Sequence, residues 1–187
     1  MSLELSANPK DGNEVIERYI VLLLGSGLNP IPSKLHLQKE LFILSNFNPI
    51  LNKFFHFEKH YYGPFSQEIS DLLEEPIYFS NSWIKEGNQI KLTENGKNLF
   101  ESLKEKFQDN TKFQKLLESI KMIRKLYDKL SDNELLLLVY QNYPKFRKKA
   151  SKFNEIFRNR KQLALSLLKK GLITEMKYKE LVDINSW

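Results

Sequence analysis

Residues 56–75 read HFEKHYYGPFSQEISDLLEE, and this stretch decides the fold. The aromatic residues from Phe55 to Tyr62 predict an extended segment. The pair Gly63-Pro64 then predicts a turn. Ser66 follows as a candidate helix N-cap, and the acids just after it suit the positive end of a helix dipole. The stretch therefore predicts a strand, a turn and a short acidic helix, and it contains no Lys or Arg after the turn.

Helices are predicted on both sides of this stretch, because apolar residues recur there at helical spacing. A hairpin is predicted over residues 83–92, where two short strand-like runs flank Glu86-Gly87-Asn88. The predicted helices are Val15–Leu24, one capped by Ser33, one capped by Thr93, residues 111–130, one beginning at Ser131, and residues 174–182.

The composition excludes several classes of site. The chain has 187 residues, is 41% hydrophobic and contains no cysteine. Disulfides, thiolate zinc sites and a cysteine nucleophile are therefore excluded, and a cytoplasmic location fits. No apolar run approaches the roughly 18 residues that a membrane span needs, so no membrane partner is expected. Phosphate-binding loops, dinucleotide-binding motifs and serine nucleophile elbows are absent, so we expect neither an enzyme nor a cofactor.

Positive charge is concentrated near the C-terminus. Residues 143–170 contain ten Lys or Arg and one acid, whereas the net charge of the whole chain is +6. This asymmetry indicates an anionic partner such as nucleic acid, and a solvated helix face is the alternative interpretation.

The predicted order of elements, and four stretches of sequence, resemble known proteins. IKLTENGKNLF resembles the last strand and following helix of many winged-helix proteins, in which the Thr caps the helix and the Gly allows close packing. PIPSKLHLQKELFIL, HYYGPFSQEISDLLEE and DNELLLLVYQNYPKF resemble a mostly archaeal group of winged-helix-like proteins. The first two are also similar, more loosely, to Panacea-type antitoxin domains. The resemblance covers about residues 15–146 and implies a winged-helix-like fold, whereas residues 147–170 match no part of it. We therefore predict a mainly α fold with a small β-hairpin: a winged-helix-like domain over 1–108 and a helical extension over 109–187.

The resemblance and the charge together lead to an expected function. We expect a nucleic-acid-binding regulator or antitoxin-like repressor, with DNA as the ligand. The alternative is a protein-interaction module that docks a toxin or an adaptor through the same frame without binding DNA. The amphipathic residues 111–130 are a candidate homodimer contact.

The candidate nucleic-acid-binding residues come from four places. The acidic helix offers Gln67 and Ser70 for base reading, with Ser66 at its start as a further candidate. Its carboxylates would repel phosphate, so ordinary major-groove insertion by this helix is disfavoured. Basic residues can position a protein on phosphates elsewhere. These are Lys34 and Lys39 in the helix before the turn, Lys85 and Lys91 in the hairpin, and Arg147, Lys148, Lys149, Arg158, Arg160 and Lys161 in the basic segment.

Two further features have competing interpretations. Tyr61, Tyr62 and Phe65 form either a recognition surface for a peptide or an exposed base, or a corner locked into the core, and large aromatic residues favour the core. His56, Glu58 and His60 would share one face of a strand. Three ligands spaced along a single strand diverge, so no metal site is expected.

Overall fold

The computed structural model describes residues 12–187, which form a mainly helical protein with two short antiparallel hairpins. This confirms the mainly α class. In chain order the elements are α1 (Gly12–Gly25), α2 (Lys34–Phe47), β1 (Glu58–His60), β2 (Gly63–Phe65), α3 (Gln67–Glu74), β3 (Trp83–Glu86), β4 (Gln89–Leu92), α4 (Glu94–Lys106), α5 (Thr111–Tyr127), α6 (Asp132–Asn142), α7 (Phe153–Arg158), α8 (Arg160–Lys169) and α9 (Glu175–Val182). Short 3₁₀ turns lie at Pro49–Lys53, Pro144–Phe146 and Ile184–Ser186.

The described chain forms two compact units. The first unit contains residues 12–56 and 66–128, and the second contains 57–65 and 129–187. Residue 108 lies inside the first unit, between α4 and α5. The first unit therefore includes α5 and most of the segment predicted to be winged-helix-like, whereas the β1–β2 hairpin within that segment belongs to the second unit.

The predicted helix caps of the first unit are confirmed. Ser33, Ser66 and Thr93 each have an extended backbone conformation and lie directly before a helix. Each side-chain hydroxyl accepts a hydrogen bond from the backbone amide three residues later. An N-cap of this kind satisfies an otherwise unpaired amide and typically contributes about 1 kcal/mol.

The predicted hairpin over residues 83–92 is also confirmed. Strands β3 and β4 pair antiparallel from Trp83 opposite Leu92 to Glu86 opposite Gln89. Gly87, in the turn, has a φ of +60°, a conformation that glycine adopts at no steric cost. Ile31 extends the pairing, because its amide and carbonyl both hydrogen-bond to Ile90.

Gly96 permits the close packing that the sequence indicates. A Cβ at this position would lie 1.9 Å from the carbonyl oxygen of Ser82. The same carbonyl accepts a hydrogen bond from the Thr93 amide. Helix α4 can therefore approach the start of the hairpin only because residue 96 has no side chain.

Buried polar groups fix the loop that joins α3 to β3. Glu17, on α1, is fully buried, and its carboxylate accepts hydrogen bonds from the backbone amides of Ile77, Tyr78 and Phe79 at 2.6–3.2 Å. The indole of Trp83 donates to the Leu73 carbonyl. One side chain thus satisfies three amides of a segment with no regular structure.

The β1–β2 hairpin corrects the predicted turn. The two residues between its strands are Tyr61 and Tyr62, so the expectation of a turn at Gly63-Pro64 is wrong. Gly63 has a φ of +84° and directly follows the turn, as glycine does in hairpins with a bulge after the loop. Pro64 lies opposite Lys59 in a two-stranded sheet, where a missing amide is tolerated.

The second unit is built around α6. The β1–β2 hairpin, α7 and α8 all pack against this helix, and α9 packs against α8. Ser131 and Glu134 form a capping box at the start of α6. Phe153, Phe157 and Trp187 form an aromatic cluster in which neighbouring ring centroids are 5.5–6.2 Å apart. Among the described helices, none has both the length and the apolar character needed to cross a membrane.

Candidate nucleic-acid interface

Four basic residues of the second unit point away from the protein. Lys148, Lys149, Arg158 and Lys161 are exposed. Within the described part of the chain, none of the four side chains makes a hydrogen bond or an ion pair. We name Lys148, Lys149, Arg158 and Lys161 the exposed basic set. Their charge is therefore available to a ligand.

Arg147 is occupied by the protein itself. Its Nε donates to the carbonyl oxygen of Tyr140 at 2.8 Å, and Nη2 donates to that of Gln141 at 3.4 Å. The guanidinium lies over the Trp187 ring, 5.0 Å from its centroid. Burial lowers the pKa of Arg147. Since these carbonyls belong to the last turn of α6, Arg147 completes the end of that helix.

Arg160 is likewise internal. It is buried, its Nη1 donates to the Phe157 carbonyl at 2.9 Å, and its guanidinium lies 4.3 Å from the centroid of the Phe157 ring. Arg160 therefore stabilises the junction between α7 and α8. Spacing alone could not separate it from Arg158 and Lys161, because α7 ends at Arg158 and a new helix begins at Arg160.

The basic residues of the first unit are paired with acids. Lys34 and Lys85 both bind the carboxylate of Glu74, at the end of α3. The hydrogen bond from Lys85, and then the one from Lys34, lower the pKa of the Glu74 carboxyl group. Lys91 pairs with Glu86 across the β3–β4 hairpin. These three lysines contribute less positive potential than their number indicates.

Helix α3 exposes acids where a DNA-reading helix would expose donors. Glu68, Asp71, Glu74 and Glu75 are all exposed. Gln67 is exposed and donates to Asp71 at 2.7 Å. The other two candidates on or near this helix, Ser70 on α3 and Lys39 on α2, are buried.

The histidines do not converge with carboxylates on a metal. His56 lies 3.3 Å from Glu68, and the His60 ring stacks on Phe65 with centroids 4.6 Å apart. Residues 12–187 contain no group of three or more His, Cys, Asp or Glu placed to hold a metal ion.

The aromatic turn differs from its favoured interpretation. Tyr61 is 62% exposed and Tyr62 is 44% exposed, so a role in the core is wrong for both. Phe65 is half-buried against His60. The sequence contained the relevant signal, because a glycine after two turn residues is typical of a bulged hairpin and would have placed both tyrosines at the tip.

Arg124 and Glu40 form a buried polar cluster that the sequence did not reveal. Arg124 is 1% exposed and donates to the backbone carbonyls of Leu23, Leu24 and Asn29 and to the carboxylate of Asp128. Its Nε lies 3.6 Å from the carboxylate of the fully buried Glu40. Burial, and then the nearby Asp128, raise the pKa of Glu40 well above its usual range. The cluster is part of the core of the first unit.

Comparison with known proteins gave no family for this chain. Neither the scan against protein-family models nor the search of curated proteins found a match. The functional proposal therefore rests on the charges, contacts and exposure described above.

Proposed function

We propose that this protein binds nucleic acid through its second unit. The observation that carries the proposal is the segregation of charge. Residues 57–65 and 129–187 contain fourteen Lys or Arg against seven Asp or Glu, whereas the rest of the chain contains fifteen against sixteen. The exposed basic set has no acidic partner in the described protein. Unneutralised cations of this kind bind phosphates with release of counterions.

The arrangement of the first unit supports a regulator or an antitoxin-like repressor as the biological role. Helix α1, the extended Ile31 paired with Ile90, helices α2 and α3, and the β3–β4 hairpin follow the order of a winged-helix domain. We infer that this unit is winged-helix-like. Its α3 lies where such proteins carry a reading helix, but the exposed carboxylates disfavour insertion beside phosphates. The second unit therefore supplies the phosphate contacts in this proposal.

The proposal is tested by fluorescence anisotropy across a salt series with a labelled DNA duplex. Lys148 and Lys149 are changed together to Ala. Affinity should fall for all sequences alike, and the slope of log K against log salt should become shallower by about one for each lysine that contacts a phosphate. Arg147 is left unchanged, because its loss would disturb the end of α6.

The matched control changes Lys121 and Lys125 to Ala. Both lysines are exposed on α5, so the variant removes the same charge from the first unit. The proposal predicts that changing Lys148 and Lys149 lowers DNA affinity more than this control does. Equal effects in the two variants would mean that net charge alone governs binding. No binding of duplex or single strands at low salt would remove the proposal.

A protein-interaction module is the second candidate function. Helix α3 offers an exposed acidic face, and α5 exposes the apolar side chains of Met122 and Leu126. An acidic face suits a basic partner such as a toxin or an adaptor, and the apolar residues suit self-association through 111–130. Sedimentation of the protein with and without Met122→Glu tests self-association, since a charge in an apolar dimer contact should shift the equilibrium toward monomer.

A further inference from the structure

The tip of the β1–β2 hairpin presents two aromatic rings to solvent. Tyr61 and Tyr62 are the turn residues, and we name this pair the tyrosine tip. Large exposed aromatic side chains are a feature of binding surfaces, because their burial against a ligand contributes much area at little entropic cost. Neither ring is needed to fill the core of the second unit.

A neighbouring ring contacts Tyr61. The His60 ring meets Tyr61 edge to face, with centroids 5.0 Å apart, and the histidine also stacks on Phe65. Tyr62 lies near Tyr140 and Lys152. The Tyr61 ring is thus exposed but oriented, which lowers the entropic cost of stacking on a ligand.

Basic residues of the same unit lie beside this hairpin. The turn Pro144–Phe146 packs against β1, and the chain then continues through Lys148 and Lys149 to Lys152, next to Tyr62. Lys59, on β1, is exposed. Aromatic rings and phosphate-binding cations are therefore combined on one part of one unit.

We propose that this surface binds single-stranded nucleic acid, with unpaired bases stacked on the tyrosine tip and phosphates held by Lys148 and Lys149. The inference rests on the proposed nucleic-acid binding and names its ligand class. The faces of bases in a duplex are covered by their neighbours, so exposed rings gain stacking only from unpaired bases. Proteins that bind single strands without sequence preference combine such rings with a basic groove.

The test measures anisotropy with two labelled probes, a 15-nucleotide oligo(dT) and the duplex of the same strand with oligo(dA). In Tyr61→Ala/Tyr62→Ala, affinity for the single strand should fall by about tenfold or more, because bases can no longer stack on the two rings. Affinity for the duplex should stay unchanged, since its phosphate contacts remain. Tyr61→Phe/Tyr62→Phe keeps both rings and should bind the single strand like wild type.

A second measurement does not depend on how well the alanine variant folds. Tyr61→Trp places an indole at the exposed tip, and its fluorescence should be quenched by oligo(dT), which stacks on it. Trp83 and Trp187 provide the background, which is measured in the unsubstituted protein under the same conditions. Quenching in the variant beyond this background supports stacking.

Three outcomes would overturn the inference. The first is that the alanine variant binds both probes like wild type, and the second is that it binds both equally weakly. The third is that the indole shows no added quenching with bound oligo(dT). In each case binding of the probes by the unsubstituted protein leaves the proposed function intact. Failure of the unsubstituted protein to bind either probe overturns the proposed function itself, and the inference with it.

Discussion

Gln38 and Ser66 exchange two hydrogen bonds inside the first unit. The Gln38 Nε2 donates to the Ser66 carbonyl oxygen at 2.8 Å, and the Ser66 amide donates to the Gln38 Oε1 at 3.0 Å. Both residues are buried. A side-chain amide thus pairs with the backbone of the residue that caps α3, as a neighbouring strand would.

Replacing Gln38 by Leu should therefore destabilise the first unit. The substitution introduces an apolar side chain of similar size and leaves the buried amide and carbonyl of Ser66 unpaired. We expect a loss of about 2 kcal/mol or more in the free energy of unfolding, measured in urea. Hydrogen exchange at the Ser66 and Ile69 amides should accelerate. Gln89→Leu, at an exposed strand position, is the control, and an equal loss there would contradict a specific role for Gln38.

Arg124 should be among the most sensitive positions of the first unit. Its guanidinium satisfies carbonyls at the end of α1 and faces two carboxylates, so Arg124→Met would leave buried polar groups without partners. We expect a loss of about 3–5 kcal/mol in the free energy of unfolding. Thermal and urea unfolding measure it, and a loss below about 1 kcal/mol would show that water replaces the guanidinium.

Gly27 offers an independent test of the same contact. A Cβ on Gly27 would lie 2.3 Å from the guanidinium of Arg124, so Gly27→Ala must displace that group. Gly27→Ala should therefore lower the free energy of unfolding, as Arg124→Met should. Gly12→Ala is the matched control, because among residues 12–187 a Cβ there meets only Phe54, at an ordinary 3.7 Å.

Glu40 should make the protein less stable as the pH rises. Its pKa is raised in the folded state by burial and by Asp128, so the folded protein holds a proton that the unfolded chain releases above the ordinary pKa. Stability should fall from about pH 4.5 up to the raised pKa. Glu40→Gln should remove this fall and be at least as stable as wild type at pH 7. A pH series of urea unfolding measures it, and an unchanged pH dependence would contradict the assignment.

Glu134 should act in the opposite direction. Burial disfavours its ionisation, but hydrogen bonds from Lys170, Ser166 and the Ser131 amide together lower its pKa. Its contribution is therefore present above the ordinary pKa and is lost as the pH falls through the lowered value. Glu134→Gln should cost about 1–3 kcal/mol at pH 7 and progressively less in acid. A cost independent of pH would show that only packing was changed.

Reversing a charge on α3 should raise nonspecific DNA affinity. Asp71 is exposed, and Asp71→Lys replaces repulsion of phosphate by attraction. Glu68→Lys should act similarly, although it also removes the His56 contact and an acid favoured by the helix dipole. Gel-shift titration measures the change, with Glu118→Lys on α5 as the matched control. Loss of binding at position 71 would mean that this carboxylate reads bases or holds the helix in place.

Local chemistry in the sequence was sufficient for most helix starts and for one hairpin. Ser33, Ser66, Thr93 and Ser131 all cap helices as predicted, because a short hydroxyl side chain pairs with an amide a few residues away. The turn at Gly87 could also be predicted from local sequence, because the conformation of a glycine depends on its own backbone. The mainly α class is the sum of such local preferences.

Burial and partners were decided only by tertiary structure. Lys148 and Arg147 are neighbours in one basic run, yet Lys148 is exposed while Arg147 completes α6 beneath Trp187, forty residues later in the chain. Lys34 and Lys85 share the carboxylate of Glu74, which lies on a different element from either lysine. The sequence alone determined which segment concentrates positive charge, because the composition of a segment does not depend on the fold. Which charges and rings remain available to a ligand depends on contacts between distant segments, and these exist only once the chain has folded.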